Sequence, residues 1–139
     1  MDEYARQMTA DNLALRVSQL GDHIPATERP LLSQAGFLFA AGHEVPVLSS
    51  PPVVEGDFVL TDRTLYYTPP YGDVVVMPLG AISSWRQRRS HRHPYLPAKL
   101  QRLALLVEVD VKGSGPYTLE FGKTFAKIVR KAGGIRRRW

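Results

Sequence analysis

Basic side chains crowd into one short stretch, residues 84–102, which we call the basic segment. No Asp or Glu occurs from Val74 to Val107, so the neighbouring sequence offers no neutralising acid. Guanidinium groups bind carboxylates and phosphates through paired hydrogen bonds, and aromatic rings between them can stack on a ligand. The segment therefore predicts a binding surface for an anionic partner, with Tyr95 as an aromatic contact. Its basic residues are Arg86, Arg88, Arg89, Arg92, Lys99 and Arg102.

Trp85 opens a second interpretation of the basic segment. In that interpretation Trp85 belongs to the core, and the arginines only line the solvent-exposed end of a strand. Two prolines in "HPYLPAK" favour the binding interpretation, because a stiff loop loses less entropy when it docks.

The last five residues of the sequence, "IRRRW", form another basic cluster. Basic residues after a helix complement its dipole, which is one explanation for them. A terminal Trp beside three arginines also suits a membrane interface or a pocket on a partner. We predict a second binding patch if the tail folds towards the basic segment. Its residues are Arg136, Arg137, Arg138 and Trp139.

Catalytic and metal-binding patterns are absent from the sequence. There is no cysteine, no phosphate-binding glycine loop and no paired-histidine metalloprotease motif. His91 and His93 lie two residues apart, but a metal site needs three or four ligands and no carboxylate is near them in sequence. We expect no metal, no cofactor and no enzymatic activity.

The net charge of +5 conceals a split between the two parts of the chain. Residues 1–57 contain eight acids and three bases, whereas residues 58–139 contain five acids and fifteen bases. Such a split suggests an acidic partner, or head-to-tail assembly of copies of this chain. The sequence pI of about 9.7 also fits nucleic-acid binding, although no RNA- or DNA-binding motif is present.

Localisation is predicted from the first residues and from hydropathy. The N-terminus, "MDEYARQMTADN", lacks the basic and apolar regions of a signal peptide. The longest apolar run, "GFLFAAG", is too short to span a bilayer. We expect a cytoplasmic protein, peripheral to a membrane or within a larger assembly.

Hydrophobic periodicity predicts strands closed by one helix. Leu13, Val17 and Leu20 repeat at helical spacing and Gly21 ends that helix, so residues 2–20 are predicted helical. Alternation predicts strands near residues 57–61, 64–68, 74–79, 102–111 and 117–121, and the apolar run from Val74 to Trp85 is interpreted as one continuous strand. Over residues 123–132 the period becomes helical, and the apolar stripe predicts burial of Phe125, Ile128 and Val129.

Two stretches, "GDFVLTDRTLYYT" and "VVVMPLGAISSW", resemble the core of GRAM and bacterial pleckstrin-homology-like (PH-like) domains. The resemblance implies an α+β, mainly β fold: a seven-stranded antiparallel β-sandwich or partly open barrel capped by the C-terminal helix. It also implies a noncatalytic module that binds lipids, peptides or proteins. Basic residues of the first hairpin, usual in lipid-binding members, are missing from "SQAGFLFAAGHE". The matching positions are Gly56, Leu60, Thr61, Leu65, Tyr67, Pro78, Leu79 and Ile82.

Together these observations predict an N-terminal helical extension (1–22), a PH/GRAM-like domain (23–134) and a basic tail (135–139). The predicted function is that of an adaptor that docks a basic surface on an acidic protein or an anionic membrane surface. Self-assembly through the acidic and basic parts, and nucleic-acid binding, are the alternatives.

Overall fold

A seven-stranded antiparallel sheet forms the centre of the protein, in the order β4-β3-β2-β1-β7-β6-β5. The computed structural model describes residues 3–40, 56–89 and 104–135. The strands are β1 (Pro30–Ala40), β2 (Gly56–Thr61), β3 (Thr64–Thr68), β4 (Val75–Pro78), β5 (Ile82–Arg89), β6 (Ala104–Val111) and β7 (Gly115–Gly122). The helices are α1 (Glu3–Leu20) and α2 (Lys123–Ala132). Short 3-10 turns cover Gly21–His23 and Leu79–Ala81.

Strand β1 connects the two halves of the sheet because it changes partner along its length. Its first part pairs with β2 as far as Gly36, and from Phe37 onwards it pairs with β7. A Cβ atom at Gly36 would overlap the carbonyl oxygen of Glu120 and would lie 2.8 Å from the Phe58 ring. Glycine therefore lets β7 and a core ring approach the β1 backbone where the sheet curls.

Aromatic rings fill the inner face of the curled sheet. The Phe58 and Phe121 ring centroids are 5.1 Å apart, and those of Phe121 and Phe125 are 5.2 Å apart, both edge to face. Trp85 stacks on Phe121 at 6.3 Å and is fully buried. One cluster thus joins β2, β5 and β7 to helix α2, and edge-to-face pairs add stability beyond the area that they bury.

Helix α1 covers the outer face of β2 and β3. Leu20 packs there with Val59 and Tyr66, and Leu13 and Val17 lie against this second cluster. Arg16 anchors the helix further, because it forms an ion pair with Asp57 at 3.1 Å and donates a hydrogen bond to Ser33. Within the described ranges, neither helix combines the length and the apolar character needed to cross a membrane.

A buried hydroxyl closes the β2–β3 turn and ties it to the segment before β1. The Thr61 hydroxyl donates to Glu28 at 2.6 Å and accepts the backbone N–H of Thr64 at 3.0 Å. Glu28 also accepts the phenolic O–H of Tyr66, at 3.1 Å. Burial raises the pKa of Tyr66; the Thr64 side chain opposes the shift, and the Glu28 carboxylate adds to it.

The predicted organisation is confirmed at the level of a mostly β protein with an antiparallel curled sheet and two helices. Each of the five predicted strands occurs within a few residues of its expected bounds. The apolar run from Val74 to Trp85 differs from its interpretation as one strand. The 3-10 turn at Leu79–Ala81 divides it, and its halves lie at opposite ends of the sheet order.

The predicted burial of Ile128 is wrong. Phe125 and Val129 are buried, but Ile128 is 38% exposed and Ala126 takes the inward position. Either Ala126 or Ile128 can join Phe125 and Val129 on one apolar side of the helix, so the sequence pattern does not distinguish between the two rotations of the helix.

Truncation of Phe125 tests whether α2 is anchored by the aromatic cluster. We expect Phe125→Ala to lower the free energy of unfolding by about 3–5 kcal/mol, as truncation of a buried Phe does. Ile128→Ala is the matched control and should cost less, about 1 kcal/mol, because Ile128 is 38% exposed whereas Phe125 is 2% exposed. Urea denaturation measures the free energy of unfolding of both variants. An equal decrease in the two would contradict the anchoring role of Phe125.

The Tyr66 hydroxyl gives the protein a defined sensitivity to alkaline pH. Because its pKa is raised in the folded state, the unfolded chain loses this proton first as pH rises above about 10. Stability should therefore fall with rising pH in that range. Tyr66→Phe should make the fall shallower, although loss of the bond to Glu28 lowers stability at pH 7. Denaturation midpoints of the parent and of Tyr66→Phe between about pH 8 and 11 measure the effect. An equal fall of both midpoints with pH would show that the raised pKa of Tyr66 does not cause it.

Candidate functional site

The basic segment begins inside β5, which pairs with β6 at one end of the sheet. Side chains alternate along this strand, so Trp85 enters the core while Arg86 is exposed. The indole N–H of Trp85 donates to the side chain of Gln87 at 3.0 Å. Trp85 is therefore a core residue and does not offer its ring to a ligand.

Arg86 is the one predicted site residue whose side chain is described. In the β5–β6 register it lies opposite Glu108, and Ser84 lies opposite Asp110. Arg86 forms no ion pair with any described residue. The Glu108 carboxylate thus lies opposite Arg86. Arg88 lies opposite the uncharged Leu106.

The other predicted site residues belong to two groups. Arg88 and Arg89 are described only as the last positions of β5. The remainder lie outside the described residues, so whether they converge stays a prediction. They are Arg92, Tyr95, Lys99, Arg102, Arg136, Arg137, Arg138 and Trp139.

Helix α2 carries a basic surface that the sequence analysis did not single out. Lys123, Lys127 and Lys131 recur every four residues and are all exposed. Residues three or four apart lie on one side of a helix, so the lysines form a row about 12 Å long. We call this row, with its exposed neighbours, the basic face of α2. The neighbours are Thr124, Ile128 and Ala132.

The basic face is held in place by the buried side of α2. Phe125, Ala126 and Val129 are all at most 2% exposed and belong to the core cluster. At the C-terminal end, Ile135 donates its backbone N–H to Arg130 and packs against the core. Gly134, at φ +60°, supplies the left-handed residue that this type of helix ending requires.

Repulsion between the lysines and the position of Lys123 oppose the stability of α2, whereas Arg130 and Lys131 in its last turn interact favourably with the helix dipole. Lys123 occupies the first turn, near the positive end of the helix dipole, and no acid is present there. Lysines four residues apart repel each other by about 0.2–0.5 kcal/mol per pair. None of the three has an ion-pair partner among the described residues. The folded chain therefore leaves this positive charge uncompensated by its described carboxylates.

The signal for this face was present in "KTFAKIVRKA". Its lysines lie off the apolar stripe, on the solvent side that every amphipathic surface helix has. Their common spacing of four residues, with no interrupting acid, is the feature that distinguishes a continuous charged row from scattered solubilising charges.

Other kinds of site have little support in the described ranges. No three side chains among His, Cys, Asp and Glu come together there in a way that could hold a metal ion. A groove of about 370 Å³ lies between the start of β5 and the end of α2. Its described lining is mostly apolar or glycine, and Ser83 supplies the one polar side chain.

Comparisons with known proteins give a fold and no family. No protein-family model matches the chain, and neither does any curated protein. The structure resembles the C-terminal domain of an unknown protein from Leishmania infantum, with a TM-score of 0.53 and 12% identity, over 86% of this chain and 95% of that chain. At this identity the likeness concerns the fold alone.

A second solved structure, the Spt16D Pob3N heterodimer, matches with a TM-score of 0.46 and 17% identity. The match covers 76% of this chain and 53% of that chain. That score is too low to support an inference about fold or partner.

Neutralising the arginines of the basic segment tests the sequence prediction. We expect the variant Arg86→Gln, Arg88→Gln, Arg89→Gln, Arg92→Gln to keep the parent's denaturation midpoint or to raise it slightly, because like charges are removed. Its binding to immobilised polyglutamate should weaken most at low salt, where exposed charges are least screened. Unfolding of the variant would instead make the arginines structural, and unchanged binding at low salt would make the segment a solvated loop.

Proposed function

We propose that the protein is a noncatalytic binding module with a PH-like fold, and that it docks the basic face of α2 on an acidic macromolecule. One observation carries the proposal: three exposed, evenly spaced lysines on a helix whose opposite side is locked in the core. The backbone of this surface is held in place before binding, so docking has to order only the lysine side chains.

The PH-like assignment draws on where the residues of the GRAM resemblance lie. Thr61 closes the β2–β3 turn through its hydroxyl, and Leu60 and Leu65 are buried partners across that hairpin. Leu79 is the buried first residue of the 3-10 turn that separates β4 from β5, and Ile82, which follows the turn, is also buried. Core and turn positions for these residues support the proposed PH-like fold.

The helix stability that is lost to repulsion between the lysines favours a binding role for them over a solubilising role. Solubility needs net charge but no particular spacing, whereas a row of like charges along one helix lowers the stability of that helix. An anionic partner would remove this repulsion on binding. The arginines of the basic segment and of the tail would then be additional contacts, as the sequence predicts.

Neutralising the lysine row tests the proposal directly. The variant Lys123→Gln, Lys127→Gln, Lys131→Gln should bind polyglutamate about 3- to 150-fold more weakly at low salt, since three exposed ion pairs of roughly 0.2–1 kcal/mol each are lost. Its denaturation midpoint should be unchanged or higher. The difference from the parent should shrink as salt approaches 0.3 M, because the charges are exposed.

A matched control removes the same charge from elsewhere on the surface. Arg29, Arg63 and Lys112 are exposed bases outside α2, so their triple Gln variant has the same net charge. Equal weakening of polyglutamate binding in both triple variants would show that only net charge matters. That result would overturn the basic face as a docking site.

A further inference from the structure

Strand β5 is the last strand of the sheet, so it pairs with β6 on one side only. Every second residue of a strand directs its backbone N–H and C=O groups to the same side. No backbone group of the described residues bonds to the side of β5 that faces away from β6. We call the row of backbone groups there the open edge of β5. Such a row is a template on which a further strand can pair.

The other end of the sheet is protected in a way that β5 is not. Strand β4 has only four residues and ends at Pro78, which has no N–H to donate. Strand β5 has eight residues and no proline. Natural sheets usually shorten or interrupt an exposed edge. A long and uninterrupted edge is therefore a feature that pairing with another segment would explain.

The charge of β5 selects among the strands that could pair with it. Arg86 is exposed and lies opposite Glu108 of β6, so a carboxylate on an added strand would lie across from it on the other side. Arg88 follows two positions later, opposite Leu106. Like charges directly opposite each other destabilise a pair of strands, so the edge disfavours β5 of a second copy. It favours a strand with Glu or Asp at alternate positions.

Space for apolar side chains is present at the start of β5. The groove of about 370 Å³ lies there, beside the end of α2, and its lining includes the side chains of Leu79, Ile82 and Ile135. Successive side chains of a strand point to opposite faces of the sheet. Residues between the carboxylates of an added strand would therefore lie on the face of the sheet that carries Ile82 and the core. Apolar residues suit these positions.

The open edge also distinguishes a polypeptide from other anionic partners. Main-chain hydrogen bonds to an edge strand give affinity, and alternate side chains give specificity, when a sheet binds an extended peptide. Anionic lipid headgroups and nucleic-acid phosphates offer charge to Arg86 but no regular row of N–H and C=O groups to the backbone of β5.

We propose that the open edge of β5 binds an extended acidic segment of another protein, with carboxylates at alternate positions and apolar residues between them. The segment would extend the seven-stranded sheet by one strand beside β5. The site uses none of the three lysines of α2. It goes beyond the proposed function and does not depend on it.

Three short capped peptides test the proposal on the full chain. They alternate Glu with Val, Glu with Thr, and Lys with Val. At low salt we expect the Glu–Val peptide to bind about tenfold or more tightly than the Lys–Val peptide. The Glu–Thr peptide should bind more weakly than Glu–Val, because Thr has the shape of Val but carries a hydroxyl. Arg86→Gln should weaken Glu–Val binding more than Lys127→Gln, which removes the same charge from α2.

Main-chain hydrogen bonds separate strand pairing from attraction between charges. N-methylation of the Glu residues and N-methylation of the Val residues block opposite edges of the extended peptide. One of these two peptides should lose about tenfold or more in affinity, because its N–H donors to β5 are removed, and the other should retain its affinity. Hydrogen exchange followed by NMR should show new protection on binding at alternate amides of β5.

Several results would overturn the proposal. Equal effects of the two methylation patterns would show that the peptide does not pair as a strand, and would leave acidic docking on α2 intact. Slow exchange of every β5 amide in the free chain would show that the edge is already covered. Tighter Arg86-dependent binding to phosphatidylserine vesicles or to duplex DNA than to the Glu–Val peptide would replace the strand by a membrane or a nucleic acid. Absence of Glu–Val binding would leave the arginines only the role of keeping two copies of β5 apart.

Discussion

The edge-to-face packing of Phe58, Phe121 and Phe125 is the interaction on which the rest of the structure depends. Each ring comes from a different element, and β2 lies far in sequence from the consecutive elements β7 and α2. A sheet in which β1 pairs with β2 and then with β7 leaves a concave face, and a concave apolar face must be filled. The rings fill it, and in doing so they fix the rotation of α2. The position of the lysine row is a consequence of that rotation.

The opposite side of the sheet is stabilised by different means. Helix α1 buries a small apolar cluster there, and polar groups complete the attachment: Arg16 binds Asp57, and Glu28 accepts hydrogen bonds from Thr61 and Tyr66. These charge-assisted hydrogen bonds are stronger than neutral ones. The carboxylates of this region are thus engaged in holding the fold together. The cations of α2, by contrast, have no such internal use among the described residues.

Stability and binding make opposite demands on α2. Its inner side contributes three fully buried residues to the core, while its outer side repeats a positive charge that weakens the helix. A helix in isolation would tolerate this poorly, since ten residues are too few for independent stability. Tertiary packing compensates for the repulsion and keeps the lysines aligned. A charged surface presented by a locked helix is the physical basis of the docking role that we propose.

Local sequence determined the type and bounds of most elements, because alternation and helical spacing depend only on neighbouring residues. The β2–β3 hairpin, strand β6 and helix α2 were predictable for this reason, and so was Arg86 as an exposed base. Tertiary structure alone decided that the run from Val74 to Trp85 is split between the two ends of the sheet. It also decided that Trp85 lies in the core, and that Ala126 rather than Ile128 faces the aromatic rings. These outcomes depend on which distant surface each residue meets, and periodicity along one segment carries no information about the shape of the surface it will pack against.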